Sequence, residues 1–217
     1  MKRGFAVAGA IVVLAMSGVT VGQAASEQSH GSATGLRTAK ALAFHDEMRK
    51  LWEDHITWTR LAIVSFAAGL PDFDQTAARL LRNQEHIGNA IKPYYGRRAG
   101  NSLTALLKEH IGGAVELLTA AKAGDDAAFA SARRAWYANG SEIARFLNRA
   151  SPRFLPLASA QRLMRGHLDQ TLVEAGHLLS GDHAAGIRVY DLIHRHILIM
   201  ADAISGAVIK QFPGRFR

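Results

Sequence analysis

The 217 residues contain no cysteine. Disulfide scaffolds, thiolate zinc sites, iron–sulfur clusters, cysteine nucleophiles and a lipidated N-terminal cysteine are thereby excluded. Proline is scarce, at five residues, and aromatics make up 7% of the chain, which argues against a turn-rich β-sandwich. No segment alternates apolar and polar residues for long enough to read as a strand. There is no serine in a nucleophile-elbow context and no His-Glu-x-x-His pair, so catalysis has no positive signal beyond the histidines. What the chain does have is 48% apolar residues, enough for a packed core, and ten histidines.

Much of the apolar content sits at the start. Residues 1–24 read as a secretory signal peptide, with Lys2 and Arg3 before an apolar run from Phe5 to Met16 and small residues at Gly22-Gln23-Ala24. That run is too short for a comfortable span of about 20 residues, and no later segment qualifies. The expectation is export to the periplasm or beyond, with no permanent membrane span after cleavage. Residues 25–36 are small and polar and read as a flexible leader; residues 37–217 form a single helical-bundle domain. The formal charge is +8. Loss of the first 24 residues removes two of the 26 Lys and Arg and none of the 18 Asp and Glu, leaving about +6. The basic residues are scattered, with only short pairs at Arg97-Arg98 and Arg133-Arg134. A nucleic-acid partner is therefore not expected, whereas attraction to an anionic envelope surface or envelope partner is.

From Thr38 onward the apolar period is helical. Ala41, Phe44, Met48, Trp52, His55, Thr59 and Ala62 step by three or four and form one stripe. Gly69-Leu70-Pro71-Asp72 ends this helix and starts the next, with Asp72 as N-cap. The second helix is expected to stop near Ile91, broken by Lys92-Pro93 and Gly96, which leaves Tyr94 and Tyr95 in a loop. Further helices are expected over roughly 100–123, 126–148, 159–180 and 184–210. The reading is all-α, an up-down bundle of six helices.

The six helices group into three. Leu-Leu-Lys-Glu-His110 and Leu-Met-Arg-Gly-His167 align, and the same shift carries Gly124-Asp125 onto Gly181-Asp182 and Asn139 onto His196. Going back 55 residues from His110 reaches His55, with Asn83 as its counterpart of Asn139. The pairs His55–Asn83, His110–Asn139 and His167–His196 lie 28, 29 and 29 residues apart. The expected architecture is three repeated α-hairpins, each with a histidine in its first arm and Asn, Asn or His in its second. In the second and third, the turn falls near the midpoint of the pair, so both members lie roughly 21 Å from it, at one level.

A histidine layer inside a bundle has two readings. Bundle cores place metal ions by projecting ligands from facing helices at one level, and imidazole suits ions such as zinc and copper. The candidate ligands are His55, His110, His167, His196, His194 and Glu174, with Asn83 and Asn139 supporting the layer. His194 and His196 are i,i+2 neighbours and do not share a face, so only one can belong to it; the repeat register favours His196, while the broad apolar face of the last helix keeps His194 a possible ligand. Glu174 lies on the stripe of His167, two turns on. The other reading is a purely structural His/Asn network in a helical module that binds an envelope partner. Trp52, Trp58 and Trp136 are expected in the core or along helix seams.

Three segments carry a family resemblance: Leu51-Trp-Glu-Asp-His-Ile-Thr-Trp-Thr-Arg60, Asn83-Gln-Glu-His-Ile-Gly-Asn-Ala-Ile-Lys-Pro-Tyr-Tyr-Gly96 and Tyr190-Asp-Leu-Ile-His-Arg-His-Ile197. Together they resemble a family of small exported bacterial helical proteins without established function, some of which are labelled glycosyltransferase. The resemblance implies export and an all-helical fold, and supplies no catalytic residue. A sugar-nucleotide enzyme would need strand-to-loop-to-helix units, a Gly-rich phosphate loop or a carboxylate-bound metal to hold the diphosphate.

Overall fold

The computed structural model describes residues 38–217; the expected signal peptide and leader lie outside the described residues. Among the described residues every regular element is helical: α1 (Ala39–Ala68), α2 (Phe73–Ala123), α3 (Asp126–Ala150), α4 (Leu157–Leu179) and α5 (His183–Gln211), followed by a 3-10 turn at Pro213–Phe216. The starts follow local chemistry. Thr38 Oγ1 accepts from the Ala41 N–H at 3.1 Å, Asp125 from Ala128 at 2.9 Å and Asp182 from Ala185 at 3.0 Å, each satisfying a donor the helix cannot. Asp72 takes the N-cap position as expected, yet its side chain makes no capping bond.

The helical spans number five where the sequence suggested six. Lys92-Pro93 does not break α2, because Pro93 sits in the last turn before a reversal and helical conformation continues on both sides. Only Gly96 leaves it, at φ 82° and ψ 166°, a conformation that a side chain would strain. There the chain doubles back. Lys108 Nζ lies 2.5 Å from Glu85 Oε1, although 23 residues of straight helix would hold them about 35 Å apart. Gly88 and Gly100 let the two arms touch: a Cβ on Gly88 would come within 2.0 Å of Thr104 Oγ1 and 2.6 Å of the Gly100 carbonyl. Tyr94 and Tyr95, expected in a loop, are instead helical and half-buried. Tyr94 stacks on Phe216 at 5.0 Å, which closes one end of the bundle with Phe44.

Each helix packs on its neighbours in sequence, and α5 returns to α1, so the ring of helices is closed. The α1–α5 seam runs antiparallel along a polar ladder. Arg49 holds Asp202 through two bonds of 2.6 and 2.8 Å, His194 meets Glu53 at 2.6 Å, and Thr57 meets Tyr190 at 3.2 Å. Inside lie Met48, Trp52, Ile87, Leu103, Ile143, Leu168, Ile197 and Met200, all almost wholly buried. By length and composition α5 could cross a membrane. Its apolar content is explained within the bundle, where Ile193, Ile197, Met200 and Ile204 form part of the core.

Candidate functional site

Side chains from α1, α2 and α4 meet in the bundle interior. His55, His110 and His167 are 2–3% exposed. The ring of His167 lies 5.5 Å from that of His55 and 6.2 Å from that of His110. Aromatics cover both flanks, Trp136 stacked on His110 at 5.0 Å and Trp52 edge-on to His55 at 5.7 Å. Beside the three rings is a cavity of about 50 Å³, walled by apolar residues such as Ile63, Phe73, Leu117 and Leu118. By volume that admits an ion, while walls this apolar offer a water few of the polar partners it needs.

The second arms hold this layer through main-chain bonds. Asn83 Nδ2 donates to the Leu51 carbonyl at 3.0 Å, Asn139 Nδ2 to that of Leu106 at 3.2 Å, and His196 Nε2 to that of Leu163 at 2.8 Å. Each acceptor is the leucine four residues before a layer histidine. These carbonyls already accept helical N–H groups, and the second lone pair takes the side chain. His196 itself stands half-buried at the edge, where Gly166 leaves room for its ring.

One tautomer follows. Because Asn139 Nδ2 is committed to Leu106, its Oδ1 faces His110 Nδ1 at 3.1 Å, and that nitrogen must carry the proton. Nε2 of His110 is then a bare lone pair. Burial holds the imidazoles neutral. It lowers the pKa of His110 to about 4 against the opposing Asn139 bond, and that of His55 to about 3, helped by the His110 charge. His167 is pushed well below its ordinary value by burial and then by repulsion from His55, His110 and His196. Nδ1 of His55, Nδ1 of His167 and Oγ1 of Thr171 are buried and have no hydrogen-bond partner among the described residues. Each such atom costs about 1–3 kcal/mol.

The remaining sequence candidates lie elsewhere. His194, a possible ligand by sequence, instead points outward to Glu53. Glu174 is buried but faces Arg60, with which it forms a short ion pair. Burial raises its pKa despite that partner. Among the described residues no three His, Asp or Glu side chains already converge as a set that would hold a metal ion. Sequence reasoning missed the Trp136 stack on His110, and Trp136 Nε1 also donates to the His110 carbonyl at 3.1 Å. The available signal was its place three residues before Asn139, on the same helix face.

Fold and site together define an all-helical bundle with a buried layer of neutral imidazoles beside a small apolar cavity. No family model, curated protein or solved structure matches the chain.

Proposed function

We propose that this chain is an exported helical-bundle protein whose interior histidines bind one transition-metal ion, zinc or copper by ligand type. The observation that carries the reading is the His110 tautomer. Asn139 fixes the proton on Nδ1, which leaves an unprotonated Nε2 on a ring packed 6.2 Å from that of His167. Metal ligands must be deprotonated, and an oriented second nitrogen is how proteins fix a ligating histidine. Around a tetrahedral ion with nitrogens at about 2.0–2.1 Å, ring centres stand roughly 5 Å apart. The separations of 5.5 and 6.2 Å therefore ask for ring rotations and shifts of about an ångström. The three Asn or His bonds to leucine carbonyls support a threefold α-hairpin ancestry, in which the two arms of α2 belong to successive hairpins. The charged, apolar and small-residue pattern of residues 1–24 supports export.

A structural His/Asn network in an envelope-binding module is the second reading, favoured by those same carbonyl bonds. The deciding measurement is metal content of protein purified from the periplasm without an affinity tag, alongside melting with and without chelator. The expected result is about one equivalent of zinc or copper after incubation, with stabilisation of about 2.7 kcal/mol at a hundredfold excess over Kd that chelator removes. His110→Ala combined with His167→Ala should abolish both. Less than about a tenth of an equivalent, together with a melting loss in His110→Ala that neither metal nor chelator alters, would establish the structural reading instead.

A further inference from the structure

We propose that a second site, on the outer face of the α3–α4 pair, binds a phosphate oxyanion. Two adjoining surface pockets of about 360 and 280 Å³ share Tyr137 and Arg165, and together have the size of a small-ligand cleft. Arg133 and Arg134 enter the first from α3 and Arg165 from α4. The guanidinium carbons of Arg133 and Arg165 each lie 5.3 Å from the centre of the Tyr137 ring. One aromatic ring thus gathers two like charges that would otherwise repel and part.

The local acid does not neutralise them. Asp169 is the carboxylate at hand, and its Oδ1 accepts the Tyr137 hydroxyl at 2.6 Å. Its Oδ2 stands 3.7 Å from Arg165 Nε, at the long end of an ion pair. Arg133 and Arg134 make no ion pair among the described residues. Three guanidinium groups against one shared carboxylate leave an excess of about two positive charges, which suits a phosphate dianion. The donors are arginines, whose planar forks engage phosphate oxygens through paired bonds. Ser141 and Gln161 in the adjoining pocket offer neutral hydrogen-bonding groups for whatever carries the phosphate. Arg97-Arg98, an equally exposed basic pair beside the Gly96 reversal, lines neither of these two pockets and serves as the control.

The phosphate could come from a soluble ester or from a lipid headgroup, and the test separates them. Full-length protein is titrated with inorganic phosphate by calorimetry and, separately, mixed with phosphatidylglycerol or phosphatidylcholine vesicles. The variants are R133Q/R165Q and R97Q/R98Q, which remove the same charge, with melting curves to check folding. Saturable binding of one phosphate, weakened about tenfold or more in R133Q/R165Q and unchanged in R97Q/R98Q, is the expected result. If phosphatidylglycerol vesicles also bind, lose binding with the same variant and are displaced by phosphate, the source is a headgroup. If phosphate binds and vesicles do not, it is a soluble ester. Equal weakening in both variants would reduce the effect to net charge, and absence of saturable phosphate binding at low salt would overturn the site outright.

Discussion

Acidification from pH 7 to pH 5 is expected to remove about 5–6 kcal/mol of folding stability. The sign follows from the layer. Folding lowers the pKa of His55 to about 3 and of His110 to about 4, and holds His167 well below its ordinary value. The unfolded chain, with values near 6.5, therefore binds more protons than the folded one throughout this window. Stability is complete above the unfolded value and falls as pH drops through it toward the folded values. Each histidine accounts for about 2 kcal/mol between pH 7 and 5. The titratable groups facing the layer are themselves imidazoles, with His196 at its edge; the amides of Gln84 and Asn139 beside it are neutral, and the buried carboxylate Glu174 is engaged by Arg60. Nothing anionic on α1, α2 or α4 is therefore placed to rescue a proton there. Urea titrations at pH 7, 6 and 5 measure the effect. In the His110→Ala/His167→Ala variant the dependence should shrink to roughly a third, because His55 alone remains. Parallel wild-type and variant curves would mean that these histidines are solvated.

The second large effect concerns the place where α2 meets itself. Gly88→Ala is expected to destabilise by about 3 kcal/mol, which for a domain of this size lowers Tm by roughly 6–12 °C. The added carbon would sit 2.6 Å from the Gly100 carbonyl, a backbone atom that cannot rotate away. Gly100→Ala meets the mirror problem at 2.5 Å from the Gly88 carbonyl. Either substitution forces the arms apart, so the double variant should cost much less than the sum, and the coupling identifies a shared contact. Gly112→Ala is the contrast, since nothing lies within 4 Å of its added carbon. It should stabilise by about 0.5–1 kcal/mol through helix propensity. Gly88→Ala behaving like Gly112→Ala would show that the arms do not touch there.

These residues also show what a single sequence discloses. The turns at Gly124-Asp125 and Gly181-Asp182 were legible because Gly-Asp stops a helix locally; that both aspartates also cap the next helix was not legible, and Asp72, the expected cap, makes no such bond. The layer was legible because stripe and spacing are geometric, and three histidines at matching heights of inward stripes must face one another. The same geometry allowed only one of His194 and His196 in the layer, but the broad apolar face of the last helix left His194 a candidate, and only its outward bond to Glu53 removes it. The fate of Pro93 was not legible. Proline forbids a bond to the preceding turn but does not say whether the chain leaves the helix, and here Gly96 alone makes the reversal. The burial of Tyr94 was hidden for a related reason, since its partner Phe216 is more than a hundred residues away. The acceptors of Asn83 and Asn139 are carbonyls, which every residue carries, so no pattern of side chains could have marked Leu51 and Leu106. The third arginine of the outer pocket was equally hidden: Arg133-Arg134 is visible as a pair, but Arg165 joins it only across two helices.

The most direct test of the buried layer is nitrogen-15 NMR of the histidine rings in the intact bundle, followed from pH 8 to pH 4.5. His110 should show a protonated Nδ1 and an unprotonated Nε2 at neutral pH, with the Nε2 signal moving on addition of one equivalent of zinc. His55, His110 and His167 should remain neutral while the chain stays folded, far below the ordinary value of about 6.5. A His110 ring titrating near 6.5 with mixed tautomers, and unaffected by zinc, would contradict both the neutral layer and the metal site drawn from it.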